Sequence, residues 1–235
     1  MTALPVAVPA PRRKGDGPMS DGSRRKRMTG PQRKEQLLDV GRAVFADRGF
    51  DATTIEEVAH RADVSKPVVY AHFDGKDALY AAVVERETTQ LLEMIASGLS
   101  GGRPREMLEQ AARAFLDYVE QRTDGFRILV RGSGVGSSTG TLTTLLGDVA
   151  ARVADILGRG FAARGYNATL APMYAQMLVG MVAFTGQWWL DARQPEPEDI
   201  VAHVVNLAWN GLSRLDPAPS PPARPVMSRY RDNEG

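Results

Sequence analysis

The sequence predicts an all-α protein, on three observations. Apolar residues recur every three or four positions through almost every run between residues 31 and 214, Gly-rich or Pro-rich breaks separate those runs, and no stretch alternates strongly enough to build a sheet. With 235 residues, 43% of them hydrophobic, the chain can bury a sizeable core. Two helical units are expected, a small one over residues 31–78 and a larger one over 79–215. A basic segment (1–30) and a proline-rich tail (216–235) flank them, both with compositions expected to be disordered.

The charge is unevenly spread. Against a net charge of +1 for the whole chain, the first 31 residues hold Arg12, Arg13, Lys14, Arg24, Arg25, Lys26 and Arg27 against only Asp16 and Asp21, giving +5. Such a block is either a solvated tail or an arm that reaches nucleic acid. Met19 and Met28 are alternative starts. Cysteine is absent, which excludes disulfides, thiolate nucleophiles and Cys-based zinc sites and fits a reducing cytoplasm. The opening MTALPVAVPAP does not read as a signal peptide, because prolines interrupt its apolar run and the cations follow it.

The first helix is expected to open at Pro31, to bury Leu37, Leu38, Gly41, Val44 and Phe45, and to stop at Gly49. In the second, Thr54 with Glu57 three residues on reads as a capping box, and Ile55, Val58 and Ala59 form the inner face. Ala62, Asp63 and Val64 make a tight turn, with Asp63 in a left-handed conformation. Ser65 is read as the cap of a very short third helix with Pro67 in its first turn, and Asp74 as the cap of the fourth. Two short helices joined by three residues make a helix-turn-helix.

The third helix turns Val69 and Phe73 inward, leaving Lys66, Pro67, Val68, Tyr70, Ala71 and His72 outside. That outer set is too small and mixed for a core but suits a major groove. Lys66 can donate to guanine, Val68 or Ala71 can touch a thymine methyl, and Tyr70 can donate to a phosphate, with Lys76 poised at the start of the next helix.

The window TTIEEVAHRADVSKPVVYAHFDGKDALYAAV resembles the N-terminal domain of the tetracycline-repressor (TetR-type) family of bacterial transcription regulators over about residues 31–84. The resemblance is carried by Thr53-Thr54, Ala59, Val64-Ser65, Tyr70 with Phe73, and Lys76 before Ala78-Leu79. It implies DNA contacts from Thr54, Ser65, Lys66, Pro67, Val68, Tyr70, Ala71, His72 and Lys76, those of Thr54, Tyr70 and Lys76 being with phosphates. Asp63 departs from the family's usual glycine. Beyond residue 84 the resemblance is architectural, implying a helical effector-binding and dimerisation domain without naming the effector.

In that larger unit, helices are expected over 77–97, 104–122, 125–131, 141–164, 169–191 and 197–214. Residues 167–190 carry no charge and are long enough to span a bilayer, but Asn167, Pro172, Gln176, Thr185 and Gln187 and the lack of flanking basic clusters argue against an anchor. A helix apolar on all sides is instead expected to be covered on two faces. One stripe is Tyr174, Met177, Met181, Phe184 and Trp188; the other is Ala175, Leu178, Val182, Thr185 and Trp189. The pattern does not separate their roles. Because methionine adapts to varied apolar shapes, we assign the first stripe to a ligand cavity with Phe115, Tyr118, Phe126 and Val130. The second, with Val201, Val204, Val205, Ala208 and Leu212, is assigned to a second subunit in a four-helix contact.

No enzyme is expected. GSGVGS places glycines at 132, 134 and 136 where a dinucleotide fingerprint needs 137, and no P-loop lysine follows. That loop is read as a connection beside the cavity. The three histidines are scattered, so neither a metal nor another cofactor is implied. The expected function is a cytoplasmic homodimeric regulator, a repressor released from a pseudo-palindromic operator by a small, largely apolar ligand. The alternatives are an effector-independent DNA-binding protein, whose larger unit would hold no cavity of roughly 300 Å³, and, further off, a helical enzyme.

Overall fold

The computed structural model describes residues 28–131, 142–216 and 219, so the basic segment through Arg27, most of the glycine loop and nearly all of the proline-rich tail lie outside it. Among the described residues every regular element is helical. The elements are α1 (Gly30–Ala52), α2 (Ile55–Arg61), α3 (Lys66–Tyr70), α4 (Gly75–Gly98), α5 (Pro104–Gln121), α6 (Thr123–Arg131), α7 (Leu142–Ala163), α8 (Ala171–Ala192) and α9 (Pro197–Ser213), with a 3-10 turn (Ala168–Leu170) leading into α8.

The first three helices and the start of α4 enclose a small core. Leu37, Val44, Phe45, Val58, Val69 and Leu79 are all but inaccessible, and Tyr80 packs edge-on against Phe45 and Phe50 with ring centroids 5.0 Å apart in both pairs. Thr29, rather than Pro31, starts α1: its hydroxyl accepts from the Gln32 N–H while the Gln32 side chain accepts from the Thr29 N–H. Gly49 interrupts α1 at φ 78°, a left-handed value that glycine adopts without steric cost. One further turn then carries the chain to Thr53.

The larger body is built on α4, α5, α7, α8 and α9, with α6 wedged between α1, α4 and α5. The boundary drawn at 78/79 falls inside α4, which runs unbroken from the small core into the large one. Packed on α7, and on Phe115 of α5 through Gly186, α8 buries Ala171, Ala175, Val179, Ala183 and Gly186. Those small side chains let the two axes approach closely, which the methionines and aromatics of the neighbouring stripe would prevent. The stretch Ala168–Ala192 is long and apolar enough to cross a membrane by length and composition, with a mean hydropathy of 1.3. In the single chain it is covered on one side, where two were expected.

Candidate nucleic-acid interface and effector cavity

The outer face of α3 is assembled by backbone geometry more than by caps. Asp63 takes the expected left-handed conformation (φ 54°), and the turn is closed by bonds from the Asp63 N–H to the His60 carbonyl (3.1 Å) and from the Val64 N–H to the Ala59 carbonyl (3.0 Å). The Gln36 side chain of α1 donates to the Ala62 carbonyl, tying the turn to the first helix. Thr54 caps α2 by accepting from the Glu57 N–H (3.2 Å). The reciprocal half of that box is absent because Arg48 and Arg61 both engage the Glu57 carboxylate. Ser65 and Asp74 make no side-chain cap bond, contrary to the sequence reading. The start of α3 instead rests on the Val68 N–H donating to the Ser65 carbonyl (2.9 Å).

With Val69 and Phe73 buried, α3 presents Ser65, Lys66, Pro67, Tyr70 and Ala71 to solvent and leaves Val68 and His72 half-buried at its flanks. Tyr70 is 55% exposed, unusual for an aromatic ring. Lys66 forms an ion pair with Glu56 of α2 while remaining about half exposed. Thr54 is exposed at the same end. The Lys76 ammonium, by contrast, is already engaged. It donates to the Phe50 (3.0 Å) and Asp51 (3.3 Å) carbonyls and lies 4.3 Å from the centre of the Phe50 ring. Lys76 therefore pins the start of α4 to the end of α1.

In the larger body, α4, α5, α7, α8 and α9 enclose a cavity of about 120 Å³. Its wall is apolar throughout, including Phe115, Val153, Leu178, Val182, Trp209 and Leu212. Of the nine ligand contacts expected from sequence, only Phe115 lines it. Phe126 is buried behind Phe115, edge-on at 5.6 Å, Val130 is partly buried elsewhere in the core, Met181 is only partly buried and off the wall, and Tyr174 packs on Phe161 at 5.4 Å. Met177, Phe184 and Trp188 face outward, with Phe184 at 74% exposure. The assignment of the first α8 stripe to the cavity is thus overturned. Leu178 and Val182, with Val179 and Ala183 beside them, face the cavity. On α9, likewise, Val201, Val204, Val205 and Ala208 are buried within the chain and Leu212 reaches the cavity, while Leu207 is left outside.

Tyr118 also belongs elsewhere. Fully buried, it donates to Glu87 Oε2 at 2.9 Å, and Arg122 clasps the same carboxylate through Nε (3.1 Å) and Nη2 (3.0 Å). Burial alone would raise the Glu87 carboxyl, but the bonds from Arg122 and Tyr118 outweigh it and hold the carboxyl below its ordinary value. Burial and the adjacent carboxylate together push the Tyr118 hydroxyl upward. Sequence reasoning missed Glu87; its signal was a lone carboxylate on the inward face of α4, in register with Val83, Val84 and Leu91.

Comparison with known proteins agrees with these two regions. Residues 37–83 match the profile "Bacterial regulatory proteins, tetR family", and residues 104–211 match "Tetracyclin repressor-like, C-terminal domain". The HTH-type transcriptional activator FasR of Mycolicibacterium smegmatis is 33% identical over 211 residues, covering 86% of this chain and 94% of its own. The HTH-type transcriptional repressor KstR2 of Rhodococcus jostii is 30% identical over 36% of this chain and 44% of its own. A solved TetR-like transcriptional regulator from Rhodococcus sp. RHA1 superposes with a TM-score of 0.63 at 27% identity, covering 80% of this chain and 99% of that one. These relatives are transcription regulators, not enzymes.

Proposed function

The chain belongs to the tetR family of bacterial regulatory proteins, and on that premise we propose how its parts divide the work of a DNA-binding transcription regulator. Two copies pair, each inserts α3 into a major groove, and an apolar ligand in the cavity changes the affinity for a pseudo-palindromic operator in the cytoplasm. The observation that carries the DNA-reading half is the solvent-facing set of α3, with a tyrosine ring more than half exposed beside Lys66. Thr54 and Tyr70 contact phosphates; Ser65, Lys66, Pro67, Val68, Ala71 and His72 meet bases or the groove wall.

The pairing surface is the outer row of α8, Met173, Met177, Phe184 and Trp188, together with Leu207 on α9. A row of large exposed apolar side chains on one helix is what a subunit contact leaves uncovered in a single chain. Ligand contacts fall to Phe115, Val153, Leu178 and Val182, whose wall offers no charge, so the ligand's buried part is hydrocarbon-like.

Repression, the expected sign, is supported by the name of the Rhodococcus repressor, whereas the relative aligned over most of the chain is named an activator. Both signs are compatible with one binding mechanism, since the position of the operator relative to the promoter decides whether a bound dimer obstructs or recruits. One observation favours an effector-free regulator as the second reading: about 120 Å³ is less than the roughly 300 Å³ of common ligand sites. Selection of duplexes from a random pool, followed by a screen of apolar compounds against the selected complex, separates the two. A releasing compound should lose its effect when Val182→Trp fills the cavity, with DNA binding intact. If Val182→Trp leaves every response unchanged, the cavity is not the effector site.

A further inference from the structure

A chain of charged side chains joins the two bodies. At its inner end lies the Glu87 carboxylate of α4, fully buried and held by Tyr118 and Arg122 of α5. Beside it on α4, Arg86 reaches 3.5 Å to Glu87 Oε1 and turns its other contacts outward to α1, meeting Glu35 Oε2 at 3.2 Å and Asp39 Oδ1 at 3.0 Å. Arg86 is itself largely covered, whereas Glu35 and Asp39 are mostly exposed. Gly125 of α6 sits directly over Glu87 and Tyr118, so close that any added Cβ would collide with Glu87 Oε2. The last residue of α6, Arg131, donates to the Ala46 carbonyl of α1 at 2.9 Å.

Apart from Lys76 at the start of α4, which holds the Phe50 and Asp51 carbonyls at the end of α1, the contact between the two helices includes apolar packing, with Gly41 laid on Leu79. Such packing excludes water but tolerates small slides and rotations, because its attraction has no direction. Charge-assisted bonds do have direction, and a guanidinium held by two carboxylates from one side and one from the other permits few arrangements. A buried carboxylate also cannot be released from its partners without a large penalty, so Glu87 anchors the inner end of the chain.

We propose that the Arg86–Glu87 pair, bridging Glu35 and Asp39 of α1 to Tyr118 and Arg122 of α5, is the positioning device that sets the angle of each DNA-reading head and hence the half-site spacing the dimer accepts. The proposal rests on the paired-regulator reading above. These residues touch neither DNA nor ligand; they act through the placement of α3. Their removal changes discrimination between spacings, whereas a merely electrostatic or structural role changes affinity for all spacings alike.

The test uses the full chain and the duplex that it selects, with one base pair added or removed between the half-sites. Each such change moves the far half-site by about 3.4 Å and turns it by roughly 35°. Wild type is expected to favour its selected spacing by about tenfold or more over both neighbours. Two variants cut the bridge from opposite sides: Glu35→Gln with Asp39→Asn, both at exposed positions, and Arg86→Gln. The first removes negative charge and should tighten all complexes, the second removes positive charge and should loosen them, yet in both the preference should fall to about threefold or less. Arg86→Lys, which keeps one charged arm, should restore part of it.

Spacing preferences equal to wild type in both variants, with folding verified by thermal melts, would overturn the proposal. So would a wild type indifferent to spacing. A wild type that selects no two-part site instead removes the paired-regulator reading itself, a separate and recognisable result.

Discussion

The head formed by α1 to α3 and the helix α8 obey the same 3.6-residue period but announce their orientation differently. On α3, the inward face is Val69 with Phe73 just beyond it, and the outward face is Lys66, Pro67, Tyr70 and Ala71, so polarity and size both declare which side meets solvent. On α8, both faces are apolar and polarity declares nothing. What distinguishes them along most of the helix is bulk: Ala171, Ala175, Ala183 and Gly186 are buried, Gly186 against Phe115 of α5, while Met177, Phe184 and Trp188 are left outside. Only toward its C-terminal end does the buried face carry the large Trp189 and Leu190. An aromatic side chain is thus a stability element in one place and an unpaired contact in another, and substitution tells these apart.

Phe115 marks the interior end of that contrast. It is 2% exposed, lines the cavity and packs edge-on against Phe126. Phe115→Ala should cost about 3–5 kcal/mol in urea denaturation, because transfer free energy and packing are lost together. Tyr70→Ala, an aromatic truncation in the head, should leave stability within about 0.5 kcal/mol. Comparable losses at both positions would mean that Tyr70 is a packing residue and would dissolve the distinction.

Trp188 tests the outer row of α8. Trp188→Ala should weaken self-association by about 2 kcal/mol or more, near thirtyfold in the dissociation constant from sedimentation, since exposed tryptophans at subunit contacts carry disproportionate energy. A dimer unmoved by this change and by Phe184→Ala would place the contact on some other surface.

Lys66 gives a smaller effect, and one visible only with DNA present. Lys66→Ala should lose about 1–3 kcal/mol of affinity for the selected duplex and relax specificity at one base position. Its ion pair with Glu56 is half exposed on both sides, so the stability of the free protein should barely change.

What could be read from sequence follows the same division. The helix boundaries were legible almost throughout, because glycine and proline punctuate them and the period within each run is regular. The head was legible to individual side chains, including the left-handed Asp63 and the inward Val69, because short-range constraints fix a turn of three residues. Ser65 and Asp74 misled for a local reason: a residue type that can cap does so only if the backbone aims an N–H at it, and here the turn bonds already satisfy the chain. The orientation of α8 and α9 was not legible, since it depends on which neighbour arrives and how closely. Leu178 and Trp188 are both large and apolar, and only the packing of the neighbouring helices sorts them. Glu87 escaped notice because a single carboxylate on an amphipathic helix looks like surface until Tyr118 and Arg122, more than thirty residues away, are seen to enclose it.

Lys76 lies on the seam between the two regions, and its truncation should have the smallest effect on DNA. The family pattern makes it a phosphate contact, yet its ammonium already donates to the carbonyls of Phe50 and Asp51 and faces the Phe50 ring. An ammonium has three N–H groups, so at most one remains for a phosphate. Lys76→Ala should therefore cost about 1 kcal/mol of stability, from carbonyls left without a donor at the end of α1. It should also flatten the salt dependence of binding by less than the one unit that a full phosphate contact contributes. Lys66, with its weakly held ion pair, should account for more of that slope. A full unit lost at Lys76 with stability unchanged would show that the ammonium leaves its carbonyls for the duplex, and that the start of α4 is held to α1 by Tyr80 and Leu79 alone.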